Sequence, residues 1–341
     1  MKVWRRPSRG RSRTRNNRIR RKAMRIVGMI PVYNESDIVE QVVSHLLSQG
    51  VQLVIIDNGS NDGSYEICRK FVGKGVLRIE RLWTERHEWR LMLQELYKLA
   101  LEHGPDWALL NGADEFLESP YRGLTLSEAI KSEAAKDHNL IQFDNFEFWP
   151  TEKDHNSRVR DVRRRLRYYS WQDDFQFRCW KVYPSMTIDE FGSHKPSFPP
   201  GVDERVSPNK FVLRHYKIRS YEHGLRKVFS ERLPRYSPQE LVLGWHGHYD
   251  NFTRDEHHFI IDSQQLTRYN DDGNWSLTKT FDGSFGACNL PSTASLQGEI
   301  SELREEIKRL ENSYALRLAR RVPFGSRIRK LLASKRYDET G

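Results

Sequence analysis

"MRIVGMIPVYNESDIVEQVVSHLLSQGVQLVIID" occupies residues 24–57. Its opening run, RIVGMIPV, is apolar, of strand length, and stops at the polar YNESD, which marks a strand buried on both faces. Ile38, Val39, Val42, Val43, Leu46 and Leu47 then recur at helical spacing, with Ser36 as the expected N-cap and Gly50 as the C-terminal stop. VQLVIID is a second buried strand. Two such strands joined through an amphipathic helix specify a right-handed crossover and a parallel pair.

The alternation continues outward. NGSNDG is a tight loop, SYEICRKFV a helix and VLRIERL a third strand. HEWRLMLQELYKLALEHG is a longer helix closed by Gly104-Pro105, and DWALLNG a fourth strand. Beyond residue 140, NLIQFDNFEFW, FQFRCWKVYP and NKFVLRHYKI read as strands, and SYEHGLRKVFSERL as a helix. The expected fold class is α/β: a mostly parallel central sheet with helices on both faces, plus a helical C-terminal extension. Ligands on such sheets bind beyond the carboxyl ends of the strands.

The net charge of +10 misrepresents this core. Eleven Lys and Arg and no acid fall within residues 1–23, so removing them from +10 leaves −1 for residues 24–341. Residues 1–23 are expected to be a disordered polybasic tail, with Met24 as an alternative start. The domain is expected over 24–290, with a linker at 291–295. Leu296, Ile300, Leu303, Ile307, Leu310 and Tyr314 form a heptad seam, predicting a short coiled coil over 296–316 and a homodimer. Residues 317–341 are basic and amphipathic, a segment suited to an anionic membrane surface. Cys68, Cys179 and Cys288 lie far apart and form no disulfide framework or zinc motif. No apolar run is long enough to span a bilayer. The expected location is the cytoplasm, with peripheral contact at the inner face of the plasma membrane.

Three strand ends point to one rim of the sheet: Pro31-Val32-Tyr33-Asn34-Glu35, Asp57 through Gly63, and Gly112-Ala113-Asp114-Glu115. Carboxylates beside loop N–H groups can accept hydrogen bonds from a base or ribose. Two together can hold Mg²⁺ or Mn²⁺ against a phosphate. GxxxxGK[ST] and a GxGxxG after the first strand are both missing, which excludes a P-loop and an ordinary dinucleotide site.

IPVYNESDIVEQVVSHLLSQGV, VIIDNGSNDGSYEI and DWALLNGADEFLE together resemble family-2-type glycosyltransferases of the GT-A fold. The likeness is nearest to a bacterial branch with a DADEF-like motif and a later HYxxRS motif, here RHYKIRSYEHGLRKVFSER. It implies that Pro31, Tyr33 and Glu35 line a nucleotide pocket, that Asp57 and Asn58 face base and ribose, and that Gly112 and Asp114 stand at the D-x-D motif. It further implies that Asp114 and His215 hold a divalent metal, Mn²⁺ or Mg²⁺. The catalytic base would be Asp189, Glu190, His194 or Glu115. The partners implied are a nucleotide-diphosphate sugar donor and a glycan or glycolipid acceptor, with transfer by inversion in cell-surface polysaccharide or glycolipid synthesis. Gly112 departs from the pattern, since an Asp usually stands there. The alternative reading is a catalytically decayed protein that binds nucleotide or glycan and grips a polyanion with its basic arm. Restoring Asp at 112 is expected to raise the metal affinity of a decayed enzyme, and to change little or to lower turnover in an active enzyme adapted to Gly.

Overall fold

The computed structural model describes residues 23–154, 159–188, 195–238, 241, 249–278 and 281. The tail up to residue 22, the coiled-coil and basic C-terminal segments, and Asp189, Glu190 and His194 lie outside the described residues.

The opening stretch folds as its pattern predicts: β1 (Ile26–Val32), α1 (Val39–Ser48) and β2 (Gln52–Asp57). The chain continues through α2 (Ser64–Arg69), β3 (Val76–Arg81), α3 (Trp89–Leu101) and β4 (Trp107–Leu110). β2 and β4 flank β1, and β3 lies outside β2, all parallel. Side chains alternate strictly between two cores. Ile26, Ile30 and Val32 of β1 pack with α1 and α2, while Val27 and Met29 pack with α3. β2 and β4 divide in the same way, which is why both strands are apolar throughout.

Helix α1 departs from expectation at its start. It begins at Val39 with Ile38 at the N-cap and no side-chain cap, and the Glu35 carbonyl accepts from the Ile38 and Val39 amides instead. Ser36 is occupied elsewhere, its amide donating to Asp62 at 2.9 Å. Gly50 does end the helix, at φ +77°.

Past β4 the sheet becomes mixed. β5 (Glu115–Glu118), α4 (Leu126–Ala135), β6 (Leu140–Trp149), α5 (Val162–Arg165), β7 (Tyr168–Lys181), β8 (Phe211–His215), α6 (Tyr221–Arg226) and a two-residue β9 (Thr267–Arg268) complete the order. The strands lie as β3-β2-β1-β4-β7-β6-β8-β5, with β9 on β7. β7 runs antiparallel to β4 and β6, whereas β8 is parallel to β6 and antiparallel to β5. A third cluster around Trp149, Val228, Tyr249 and Phe259 covers the end of the sheet where β1 and β4 stop. Among the described residues no helix is long and apolar enough to cross a membrane. Cys68 and Cys179 are buried free thiols.

Candidate active site

The carboxyl ends of β1 and β4 open into a cavity of about 680 Å³. Pro31, Tyr33 and Glu35 line it from the first loop, Asn58 from the second, and Gly112, Asp114 and Glu115 from the third. A polar stripe on β6 and β7, Asn145, Glu147, Asp174, Gln176 and Arg178, also lines it, together with His215, Lys217, Lys227 and Arg232.

Loop-to-loop hydrogen bonds set the first two strand ends. Asn34 adopts φ +54°, a conformation in which Asn is tolerated better than most residues. Its amide donates to Ser60 Oγ, its Oδ1 accepts from the Asn61 amide, and its Nδ2 donates to Glu231, each at 3.0 Å. Asp62 is a staple, accepting from Ser36 and Ser64 amides. Asp57 is fully buried beneath its loop. Its Oδ2 accepts from the Gly59 and Ser60 amides at 3.1 and 3.0 Å, and burial raises its pKa. Its Oδ1 is buried without a hydrogen-bond partner among the described residues.

At the third strand end a neighbouring carboxylate takes the place of the missing one. Gly112 N–H donates to Glu115 Oε2 at 2.5 Å, and Arg178 Nη2 donates to Glu115 Oε1 at 2.7 Å. A Cβ added at Gly112 would lie 2.8 Å from Glu115 Cδ and 3.1 Å from Asp114 Oδ1. The Glu115 carboxylate thus fills the space where an Asp side chain at 112 would begin. With both oxygens engaged, Glu115 is held as an ion-pair partner. Asn111 is buried and donates to the Gly112 and Glu115 carbonyls, shaping the turn.

The HYxxRS segment supplies the rest. β8 pairs antiparallel with β5 so that His215 faces Glu115 in register, and the Tyr216 amide donates to the Asp114 carbonyl at 2.9 Å. His215 then lies between two acids, Nε2 3.6 Å from Asp114 Oδ2 and Nδ1 3.6 Å from Glu147 Oε1. Burial would lower the His215 pKa, but the Asp114 and Glu147 carboxylates outweigh it and raise it to about 9. Lys217 meets Glu147 at 2.8 Å. Although burial opposes it, that ammonium holds the Glu147 carboxyl at about 2. Arg219, 1% exposed, clamps Glu35 at 2.6 Å and Asp37 through two bonds of 2.7 Å. Ser220 caps α6 by accepting from the His223 amide.

Helix α6 widens after Arg226 into a π-type turn, Lys227–Arg232. Lys227, 3% exposed, donates to Asp114 Oδ2 at 2.6 Å and Glu35 Oε1 at 2.8 Å. Against the cost of burial, Lys227 first and His215 next keep the Asp114 carboxyl well below the usual carboxylate range.

Asp114 and His215 therefore do meet, and Lys227 bonds the same Asp114 oxygen, Oδ2, that His215 approaches. Glu35, Asp37 and His223 are a second group able to offer a metal three ligand atoms within 4.8 Å of one another. Arg219 already bonds both of those carboxylates, and its amide donates to His223 Nδ1. A divalent ion at Asp114 Oδ2 would face the Lys227 ammonium, and one at Glu35 and Asp37 would compete with Arg219.

The sequence reading missed the β6–β7 stripe and Lys227. The signal for the stripe was partial: Asp174, Gln176 and Arg178 are two apart between Phe175, Phe177 and Cys179, and Asn145 and Glu147 are two apart around Phe146. Lys227 carried no local signal, because only the π-type turn brings it to Asp114.

Residues 29–114 match the sequence model of glycosyl transferase family 2, which bears out the resemblance read from the motifs. The sheet and its flanking helices have the architecture of a GT-A domain. Similar solved structures are S. aureus TarS 1-349 (13% identity, TM-score 0.35, covering 59% of this chain and 63% of that one) and S. aureus TarS (11%, 0.33, 71% and 44%). A third is S. aureus TarS 1-349 in complex with UDP (12%, 0.31, 71% and 77%). This chain spans less than two thirds of the first two. No curated protein matches the sequence.

Proposed function

We propose that this protein transfers a sugar from a nucleotide-diphosphate sugar to a hydroxyl acceptor. The observation that carries this reading is the convergence of the three family-matched strand ends on one cavity of about 680 Å³. Asp57 does not line the cavity; fully buried, it holds the Gly59 and Ser60 amides and so would support from beneath the loop that carries Asn58 to the base. On the β6–β7 stripe Asn145 Oδ1 and Asp174 Oδ1 are buried without partners among the described residues, as acceptors for sugar hydroxyls would be. Lys227 and Arg232 line the same cavity and would meet the diphosphate that joins base and sugar.

The acceptor oxygen attacks the anomeric carbon, the bond to the diphosphate breaks, and the diphosphate leaves with the electron pair, inverting the carbon. The acceptor proton would pass to Asp189, Glu190 or His194, all outside the described residues. The divalent metal implied by the resemblance enters this reading only as a displacing ion, replacing Lys227 at Asp114 or Arg219 at Glu35 and Asp37. A lipid-linked or surface-polysaccharide acceptor is proposed from the basic C-terminal segment, which is also outside the described residues.

The test is release of nucleoside diphosphate from a panel of sugar nucleotides. One donor should be consumed by the wild-type chain and spared by Asp114→Asn. Consumption of none of them, with carbohydrate acceptors supplied, would remove the reading.

A further inference from the structure

Four features of the cavity concern the charge of the leaving group. Lys227 Nζ lies on the wall, buried, 2.6 Å from Asp114 and 2.8 Å from Glu35. Arg232, from the same π-type turn, lines the cavity and approaches Glu35 at 3.9 Å. The D-x-D motif has lost its first acid, and the replacement carboxylate, Glu115, is neutralised by Arg178 at 2.7 Å. Glu147, the next carboxylate on the wall, is neutralised by Lys217. Of the carboxylates lining the cavity, Glu35, Asp114, Glu115 and Glu147 each have a cation of the chain against them, whereas Asp174 accepts from the Asn145 and Gln176 side-chain amides.

A divalent ion needs oxygen ligands that are not so committed. Placed against Asp114 Oδ2, it would also face the Lys227 ammonium at contact distance. The same ammonium does what such an ion would do: it presents positive charge and N–H donors where a diphosphate oxygen would develop charge.

We propose that Lys227, supported by Arg232, is the resident cation for the donor's diphosphate, so that donor binding requires no divalent metal. This rests on the transferase reading. Lys227 bridges Asp114 and Glu35 and shares its protons with the diphosphate when the donor enters. Arg232, 20% exposed at its side chain, covers the second phosphate.

The experiment is calorimetric titration of the full chain with UDP, GDP, CDP and dTDP, first in excess EDTA and then in millimolar Mn²⁺. One nucleotide should bind in EDTA with a Kd within about threefold of its Mn²⁺ value, and Lys227→Met should weaken it more than about tenfold, as loss of a charge-assisted contact would. Lys227→Arg, which keeps a cation and protects the fold if the Met variant does not survive, should bind without metal. Binding that appears only with Mn²⁺ would overturn the inference and leave the transferase reading standing. Unchanged affinity in a folded Lys227→Met variant would overturn it too. Failure of every nucleotide under both conditions would instead remove the transferase reading, and this inference with it.

Discussion

Gly112 is the residue at which the motif and the fold disagree. A Cβ there meets the Glu115 carboxyl at 2.8 Å, and that carboxyl is pinned by Arg178 and by the Gly112 amide. Gly112→Ala and Gly112→Asp should both lower stability by about 1–3 kcal/mol, the usual cost of overpacking, read from urea midpoints. Gly112→Asp should gain no Mn²⁺ affinity by calorimetry, because its side chain must first evict Glu115. That is the outcome expected of an active enzyme adapted to Gly rather than of a decayed one. Arg219 gives a second residue-scale prediction. Its removal leaves Glu35 buried against Asp114 with one fewer cation, so Arg219→Met should cost about 3–5 kcal/mol. Adding Glu35→Gln and Asp37→Asn should recover part of that loss, since the uncompensated charge is what costs most. Equal midpoints for the single and triple variants would contradict this.

At the scale of elements, the strand, turn and helix spanning HYKIRS form one device. His215 sits between Asp114 and Glu147, Lys217 holds Glu147, Arg219 holds Glu35, and Ser220 starts the helix that delivers Lys227. The motif was legible as a string, but its purpose was not, because every partner is distant in sequence. The β6–β7 stripe was legible as period-two polarity and was passed over in favour of the loops. Helix α6 packs tightly on the third cluster: a Cβ at Gly224 would run into the Phe259 ring. Gly224→Ala should therefore cost about 1–3 kcal/mol and weaken nucleotide binding by displacing Lys227, a pairing that a binding isotherm on the folded variant checks. Helix α4 supplies a pH prediction. Burial would raise the Glu133 pKa, but bonds from Lys136, Tyr121, Ser207 and His138 lower it to about 2. A carboxyl depressed in the folded state stabilises above its unfolded value and loses that contribution as pH falls. Wild type and Glu133→Gln should differ most in melting temperature above pH 4.5 and converge toward pH 2. A constant gap across that range would contradict it.

For the molecule as a whole, the first half of the sheet was readable because its central parallel strands, β1, β2 and β4, are covered on both faces and carry apolar runs, while β3 lies at the edge and is more polar. The second half was harder. β5 is only Glu115–Glu118, too short to show a period, and its pairing with β8 joins segments far apart in the chain. That pairing is what closes the site, so the cavity could be located from the sequence while its cations could not. The central claim is the proposed nucleotide-diphosphate pocket, which draws Pro31, Tyr33 and Glu35, Asn58, and Gly112 and Asp114 from the three strand ends, with Asp57 buried under the loop that carries Asn58. A thermal-shift panel with UDP, GDP, CDP and dTDP on the full chain tests it most directly. One of the four should raise the melting temperature increasingly with its concentration, and Asp57→Asn should weaken or reassign that preference. No shift from any of the four, in wild type and variant alike, would contradict the claim.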